Sequence, residues 1–223
     1  MEKGERTGGF FITFEGPEGG GKSTQIQRLA ATLADQGYAV WTTREPGGTR
    51  VGEMIRPILL GRQQAPMSAW SEALLFTAAR AQHVEEVIRP RLQRGELVLC
   101  DRYRDSTLAY QGYGRGLDLD VLRQLQDRAT GGLQPDRTIL LNLPVQAGLA
   151  RIPLTAQDRL DSETAAFHER VRAGYQKLAA AEPQRWREVD ATAEPDQVAQ
   201  RILQLVNEAL EQSAILPVQR RSA

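Results

Sequence analysis

Apolar residues recur along the chain in two kinds of segment that alternate. Short apolar runs predict buried strands, whereas longer segments with an apolar residue at every third or fourth position predict helices. The predicted strands cover residues 10–15, 38–43, 97–101, 138–143 and 186–190. The predicted helices cover residues 22–36, 51–60, 68–94, 106–111, 120–129, 145–151, 162–181 and 195–212.

Strands that alternate with helices predict an α/β fold, in which a parallel sheet carries helices on both faces. The segment 97–101 is apolar at successive positions, as expected of a strand that is covered on both sides. We therefore expect three layers, α/β/α, around a five-stranded parallel sheet. Residues 10–212 form a single predicted domain with a small lid at about 152–160, and we expect residues 1–9 and 213–223 to be flexible.

Composition excludes several classes of protein. The chain has 28 basic and 28 acidic residues, so its formal net charge is zero and a nucleic-acid partner is not expected. Cys100 is the single cysteine and ends an apolar run, which predicts a buried core residue and a reducing compartment. Neither a membrane span nor a signal peptide is evident, so we expect a cytoplasmic protein with no membrane partner.

A glycine-rich segment at 16–23 fits the pattern G-x-x-x-x-G-K-[ST] at every position. It lies between a predicted strand and a predicted helix, the setting in which backbone N–H groups surround a phosphate. Lys22 is expected to reach the β- and γ-phosphates, and the hydroxyl of Ser23 is expected to bind Mg²⁺. The predicted triphosphate-binding residues are Gly16, Pro17, Glu18, Gly19, Gly20, Gly21, Lys22, Ser23 and Thr24. The motif predicts the P-loop NTPase fold, but GTPases, helicases and kinases share it.

A second candidate site follows the strand predicted at 97–101. Asp101 ends that strand, at the edge of the sheet where ligands bind in such folds. Its carboxylate is suited to orient Mg²⁺ through a water, and the planar guanidinium of Arg102 is suited to a phosphate. These residues begin the segment Asp-Arg-Tyr-Arg-Asp-Ser-Thr-Leu-Ala-Tyr-Gln at 101–111.

This segment resembles the signature of the thymidylate kinase family in its acid-Arg-aromatic triplet, its serine and its Ala-Tyr-Gln. The sequences Arg-Glu-Pro-Gly-Gly-Thr at 44–49 and Leu-Phe-Thr-Ala-Ala-Arg at 75–80 are similar to the bacterial form of that family. The resemblance implies a nucleoside monophosphate kinase that uses ATP and Mg²⁺ to phosphorylate dTMP in dTTP synthesis. It also implies a homodimer that forms through the long helices.

The resemblance further implies a pocket for the thymine base. Phe76 would stack on the ring, and Arg80, one helical turn later, would hydrogen-bond the edge of the base. Ser106 and Gln111 would complete its recognition. The turn at Glu45-Pro46 would lie near the base and is a candidate for a cis peptide bond. Without the resemblance, Phe76 is read equally well as a core residue.

The sugar and phosphate of the acceptor have implied partners as well. Tyr110 would lie where a ribose 2′-hydroxyl would project, so that deoxynucleotides are selected by exclusion. Arg102 and Arg44 would hold the acceptor phosphate. Glu18 would contact the 3′-hydroxyl and help to place the metal, because a carboxylate beside a triphosphate is unfavourable without a role.

Phosphoryl transfer requires positive charge around the moving group rather than a strong general base. We expect Lys22, Mg²⁺, Arg102 and an arginine of the lid to supply that charge. Because the acceptor phosphate is already anionic, neither His83 nor His168 is expected to act as a base. Both are predicted to lie on helix surfaces.

The lid departs from the pattern of the family. Some members carry a catalytic arginine inside the P-loop, where this chain has glycine, and bacterial members carry several in the lid. Only Arg151 and Arg159 remain in the short stretch 151–159. Such an arginine is worth roughly 10³-fold or more in rate. Either one of these two acts alone, or turnover is slow; alternatively, both only pair with neighbouring acids such as Asp161.

Three other functions stay open from the sequence. A kinase for a deoxypurine or cytidine monophosphate would share the P-loop and the arginines. A regulatory nucleotide-binding module would share the P-loop, although the N-K-x-D motif that reads guanine in GTPases is absent. A nucleic-acid-stimulated ATPase is disfavoured by the neutral net charge.

Overall fold

The computed structural model describes residues 8–62 and 66–217, which contain a sheet of five parallel strands. The strands are β1 (Phe10–Glu15), β2 (Val40–Arg44), β3 (Leu97–Asp101), β4 (Arg137–Asn142) and β5 (Trp186–Asp190). Their order across the sheet is β2-β3-β1-β4-β5. The predicted five-stranded parallel sheet is confirmed, with β2 and β4 displaced by one or two residues from their predicted bounds.

The central strand shows why an apolar run becomes a buried strand. β1 pairs with β3 on one side and β4 on the other, and all of its residues are buried. Alternate residues Phe10, Ile12 and Phe14 join one core cluster, while Phe11 joins another on the opposite face. A strand covered on both faces has no position for an exposed polar side chain, so its apolar residues are consecutive.

Helices cover both faces of the sheet. They are α1 (Lys22–Asp35), α2 (Arg50–Leu60), α3 (Ala69–His83), α4 (Arg89–Gln93), α5 (Arg104–Thr107), α6 (Leu119–Thr130), α7 (Val145–Ala150), α8 (Ala165–Ala181) and α9 (Pro195–Gln212). Helices α1 and α9 share an apolar core with one face, and α3, α4 and α8 contribute to the cores of the other. The three-layer arrangement follows from these cores.

Several helix starts are set by a capping side chain. The hydroxyls of Thr49, Ser68 and Thr164 each accept a hydrogen bond from the backbone N–H three residues later. The sequence predicted that α8 starts at residue 162, but the helix begins at Ala165, after its cap Thr164. The carboxylate of Asp158 accepts from the N–H groups of Leu160 and Asp161, which holds the preceding residues in turns.

Two predicted helices contain π-helical stretches. The helix predicted at 68–94 runs through α3, the π-helix Val84–Ile88 and α4. The helix predicted at 106–111 begins earlier, as α5, and continues as the π-helix Leu108–Gly114. Such wide turns occur often at functional sites, and the second of them carries Tyr110 and Gln111.

The prediction that both histidines lie on helix surfaces is wrong. His83 is fully buried, and its ring nitrogens contact Glu45 at 3.0 Å and Thr43 at 2.6 Å. His168 is also buried and packs edge-on against Phe167, with ring centroids 5.5 Å apart. Spacing along a helix does not reveal that a neighbouring element covers the polar face and supplies such contacts.

The remaining sequence predictions concern the two chain ends, Cys100 and membrane-spanning helices. Residues 1–7 and 218–223, predicted to be flexible, lie outside the described residues. Ile215 packs against the core, and its N–H donates to the Leu210 carbonyl at 3.0 Å. Cys100 is buried, as predicted. Within the described ranges, no helix is long and apolar enough to cross a membrane.

Candidate active site

The strand order brings the two candidate motifs together. β1 and β3 are neighbours, and their parallel register aligns Phe14 with Asp101 at the carboxyl edge. The glycine-rich loop leaves β1 at this edge, and Asp101 and Arg102 leave β3 beside it. Separate motifs in the sequence therefore meet because parallel strands end on the same side of the sheet.

Glycines in the loop are required by close backbone packing. Gly19 has φ +68°, and a Cβ atom there would lie 2.0 Å from the Gly148 carbonyl oxygen. Gly16 has φ +136°, and its Cβ would lie 2.3 Å from the Leu141 carbonyl oxygen. Both the positive φ and the packing exclude a side chain, so the loop lies directly against β4 and α7.

Lys22 and Ser23 occupy the start of α1. The Lys22 ammonium donates to the carbonyls of Gly16 and Pro17 at 3.2 and 2.9 Å, within the loop it belongs to. Burial lowers the pKa of Lys22 and the nearby Arg102 adds to this effect. The Ser23 hydroxyl donates to Asp101 Oδ2 at 2.6 Å. These two hard oxygen donors are the kind of ligand that Mg²⁺ takes together with phosphates and water.

Arg102 lies between the loop and the second half of the site. Its backbone is in the left-handed region at φ +66°, uncommon for a residue other than glycine and often associated with function. Its guanidinium donates to the Gly16 carbonyl and the Tyr175 hydroxyl, both at 3.0 Å, and to Glu18 Oε2 at 2.8 Å. The residue is therefore held at a fixed place beside the P-loop.

Glu18 contacts two other predicted site residues, Arg102 and Tyr110. Its second oxygen accepts from the Tyr110 hydroxyl. Burial by itself would raise the pKa of Glu18, but the positive charges of Arg102 and Lys22 outweigh it and lower the pKa to about 2. An ionised carboxylate thus stands within the phosphate-binding loop, beside an aromatic hydroxyl.

Glu15, a buried carboxylate that the sequence predictions missed, shares Ser106 and Tyr175 with Arg102 as hydrogen-bond partners. It accepts hydrogen bonds from Tyr103 N–H at 2.8 Å, Ser106 Oγ at 2.6 Å and Tyr175 Oη at 2.9 Å. Burial and the charge of Asp105 raise its pKa to about 7. In the sequence Glu15 was only the last residue of an apolar strand. Tyr175, 160 residues away, carried no signal for the site.

One cavity of about 340 Å³ is lined both by the glycine-rich loop and by Phe76 and Gln111. Fifteen of the predicted site residues line it, and thirteen of these are Glu18, Gly19, Gly20, Gly21, Lys22, Ser23, Thr24, Arg44, Pro46, Phe76, Asp101, Arg102 and Ser106. Tyr110 and Gln111 line it as well. Phe76 and Gln111 lie far from Lys22 in sequence, yet they share this space with it.

Some lining residues were not predicted. Arg56 on α2 lies beside Arg44, and its guanidinium donates to the Pro46 carbonyl at 2.6 Å. Burial and the charge of Arg44 lower the pKa of Arg56. Asp158, from the predicted lid, also lines the cavity, and burial raises its pKa. An arginine in an ordinary amphipathic helix gives no sequence signal, because its role depends on the loop packed against it.

Arg80 lies behind the cavity wall instead of lining it. Its guanidinium donates to Glu45 at 2.6 Å, to Thr107 at 2.8 Å and to the Tyr103 carbonyl at 3.0 Å, and also contacts Gln126. The direct hydrogen bond to a base that the resemblance implies would require this network to rearrange. The bond before Pro46 is cis, as the sequence suggested.

The two lid arginines lie outside the cavity as well. Arg151 donates to the carbonyls of Gly19 at 3.3 Å and Ala191 at 3.0 Å. Arg159 pairs with the buried Glu72 at 2.5 Å and donates to the Leu59 carbonyl at 2.8 Å. Gly16 and Pro17 contribute to the loop through their carbonyl groups, which accept hydrogen bonds from Lys22.

Comparison with known proteins identifies relatives along nearly the whole chain. The sequence profile of the family described as thymidylate kinase matches residues 14–202. A thymidylate kinase of Thermomicrobium roseum is 56% identical over 210 residues, covering 93% of this chain and 99% of the relative. A thymidylate kinase of Bacillus pumilus is 46% identical over 210 residues with the same coverage.

A solved structure agrees with the fold described above. The crystal structure of thymidylate kinase from Ehrlichia chaffeensis superposes with a TM-score of 0.71 at 32% sequence identity. The match covers 89% of this chain and 98% of that structure. The similarity therefore extends over most of both chains.

Proposed function

The chain belongs to the thymidylate kinase family and phosphorylates dTMP with ATP, and we propose that the cavity at the carboxyl edge is where this transfer takes place. The single observation that supports the location is that loop residues, Arg102 and Phe76 line one cavity, where Arg102 donates to the Gly16 carbonyl of the loop. A donor on the loop and a nucleotide against Phe76 would then meet at the guanidinium of Arg102.

We propose the following roles on the acceptor side. Phe76 stacks on the base, with Ser106, Gln111 and Pro46 around it, while Arg80 supports the wall through Thr107. Tyr110, held by Glu18, lies against the sugar and leaves no room for a 2′-hydroxyl.

The acceptor phosphate is negatively charged, so its binding requires cationic side chains. Arg102 and Arg44 line the cavity and are proposed to hold the acceptor phosphate, and Arg56 adds a third cation. Because the acceptor oxygen is already anionic, alignment and charge suffice for the transfer, and no side chain has to remove a proton.

On the donor side, backbone N–H groups of the loop and the ammonium of Lys22 are proposed to bind the triphosphate. Ser23 and Asp101 are proposed to hold Mg²⁺, whose charge offsets that of the β- and γ-phosphates when it is bound. Their oxygens are 2.6 Å apart and joined by a hydrogen bond, so Ser23 would offer its hydroxyl oxygen to the ion while Asp101 would orient the ion through a water.

We further propose that Arg151 or Arg159 moves into the cavity when substrates bind. Arg151 donates to backbone carbonyls, which a phosphoryl group can replace with a stronger, charged acceptor, whereas Arg159 would also have to leave the Glu72 carboxylate. Lid closure of this kind would also exclude water from the site.

A panel of acceptors tests these assignments. With ATP and Mg²⁺, ADP should form only when a nucleotide is added, with dTMP and dUMP ahead of dCMP and dGMP, and EDTA should abolish the reaction. Ala variants of Arg151 and Arg159 should separate the two candidates, since the acting arginine loses roughly 10³-fold in kcat. A preference for dGMP would contradict the proposed base pocket, and equal rates for both variants would contradict the lid proposal.

A homodimer is proposed as the working form. Exposed apolar side chains follow one side of each of two adjacent helices, Val51, Met54 and Ile58 on α2 and Trp70 and Leu74 on α3. We call these five residues the α2–α3 face. An apolar surface of this kind is typical of contact with another protein, and a second copy of the chain is the proposed occupant.

A cytoplasmic location is also proposed. Cys100 is the only cysteine of the sequence and is a buried free thiol. Such cysteine usage is typical of reducing compartments. Fractionation of the native cells should recover the dTMP kinase activity with cytoplasmic markers.

A further inference from the structure

We propose that Glu72 determines which pyrimidine the enzyme accepts, by fixing which end of the Gln111 side-chain amide faces the cavity. This inference rests on the proposed function, in which Gln111 reads the base. It concerns a residue that does not line the cavity and was not predicted as part of the site.

The hydrogen bond between the two side chains allows only one orientation of the amide. Gln111 Nε2 donates to Glu72 Oε1 at 2.8 Å, and both residues are 1% exposed. A carboxylate can only accept hydrogen bonds, so the amide nitrogen has to face it and the amide oxygen has to face the other way. Burial opposes the charge of Glu72, but hydrogen bonds from Arg115, Gln111 and Arg159 outweigh it and lower its pKa, so the carboxylate is ionised near neutral pH.

The amide oxygen of Gln111 is therefore the end available to a ligand. Gln111 lines the cavity, and no group in residues 8–62 and 66–217 donates to its Oε1. This oxygen is also not among the polar atoms that are sealed inside the described protein without a partner. The structure thus presents a hydrogen-bond acceptor to the base pocket.

An acceptor at this place distinguishes the pyrimidine bases by their N3 atoms. Thymine and uracil carry a hydrogen on N3 and can donate to Gln111 Oε1. Cytosine has a lone pair on N3, which would face the lone pairs of the amide oxygen. A site that is built around one hydrogen bond strongly disfavours an analogue that cannot make it, because a buried polar atom is then left unpaired.

Two arginines hold the Glu72 carboxylate in place. Arg115 donates to Oε1 at 3.2 Å and to Oε2 at 3.1 Å, and Arg159 donates to Oε2 at 2.5 Å. Both arginine Nη2 groups therefore meet at Oε2. In the variant Glu72→Gln, the single side-chain oxygen would occupy this position, because it accepts both donors there. The new NH₂ group would then stand at the Oε1 position, where Arg115 Nε loses its acceptor. The Gln111 amide inverts to accept the new NH₂ and turns its own NH₂ toward the cavity.

The test compares kcat/KM for dTMP, dUMP and dCMP in the wild type, Glu72→Gln, Glu72→Asp and Arg115→Met. We expect Glu72→Gln to lower the ratio of dTMP to dCMP by about tenfold or more, as for the loss of one specific base contact. Glu72→Asp retains a group that only accepts and should keep the preference. Arg115→Met removes a partner of the same carboxylate without touching Gln111, and its ratio should stay within about twofold of the wild type.

Each ratio is measured on one preparation, so partial misfolding alters both constants equally and does not affect it. If Glu72→Gln does not fold, the double variant Glu72→Gln/Arg115→Met removes the unpaired cation and retains Arg159 at the Oε2 position. An unchanged ratio in the glutamine variants would overturn the role of Glu72, as would an equal drop in Arg115→Met. If the wild type itself shows no preference for dTMP, the proposed base pocket fails instead.

Discussion

At the scale of single residues, the site is held by charged groups that are buried together. Arg102 donates both to the loop and to Tyr175, and Tyr175 donates in turn to Glu15. Removing one partner from such a network leaves another buried polar group unsatisfied. The position of Arg102 therefore depends on residues that never touch a substrate.

Glu15 should make stability depend on pH in a specific direction. Its pKa is about 7 in the folded chain against an ordinary value of 4.5. Between these values the folded chain keeps a proton that the unfolded chain has lost, so the free energy of unfolding falls as pH rises through this window. Glu15→Gln cannot titrate and should lose this part of the slope in urea unfolding from pH 5 to pH 7.

The matched control is Glu169→Gln, which removes an exposed carboxylate on α8. Its slope should equal that of the wild type. If the Glu15→Gln and wild-type curves ran parallel over the whole window, the raised pKa of Glu15 would be contradicted.

At the scale of elements, the phosphate-binding loop and α7 form one packed unit. The loop comes after β1 and α7 after β4, and Gly19 and Gly148 are in direct backbone contact. The motif pattern requires glycine at the last of its glycine positions, Gly21, but it does not require one at Gly19. The close backbone contact with α7 explains why position 19 is also a glycine.

Two glycines of the loop allow a matched comparison. Gly21→Ala meets no atom within 4 Å and should cost about 1–2 kcal/mol for its positive φ alone. Gly19→Ala has a similar φ, but its methyl group would lie 2.0 Å from the Gly148 carbonyl oxygen. We expect a clearly larger loss of unfolding free energy in urea for Gly19→Ala. Equal losses would show that α7 moves away without cost.

At the scale of the whole molecule, the parallel sheet gathers all of the proposed machinery at one edge. Loops after β1, β2 and β3 contribute the P-loop, the Arg44–Pro46 turn and Arg102, and α3 closes the space with Phe76. Helices α2 and α3 leave their other side, the α2–α3 face, exposed. Catalysis and assembly would then use opposite sides of the same helices.

The proposed dimer can be tested by introducing charge into the α2–α3 face. Leu74→Glu, at a position that is 52% exposed in one chain, should give a monomer in analytical ultracentrifugation, because a buried unpaired carboxylate opposes association. Leu154→Glu, in the lid and 76% exposed, is the control and should not change the sedimentation coefficient. A wild-type monomer at micromolar concentration would contradict the proposed assembly.

Much of the fold and part of the site could be predicted from local patterns. Consecutive apolar residues in β1 and β3 predicted a sheet covered on both faces, and the P-loop pattern predicted the phosphate-binding segment. The resemblance added Phe76, Tyr110 and Gln111, which all line the cavity with that loop. The strand and loop predictions succeed because a buried strand and a phosphate-binding loop each leave their pattern in consecutive residues.

By itself, the sequence determined the layered sheet, the glycine-rich loop and the residue types available for binding phosphate. The tertiary structure decided which of them face the cavity: it set Arg80 behind the wall, both histidines in the interior and the lid arginines on backbone carbonyls. It also brought Glu72 to Gln111 across 39 positions of the chain. Pairing between buried polar groups depends on how separate elements pack, and a linear pattern contains no record of those distances.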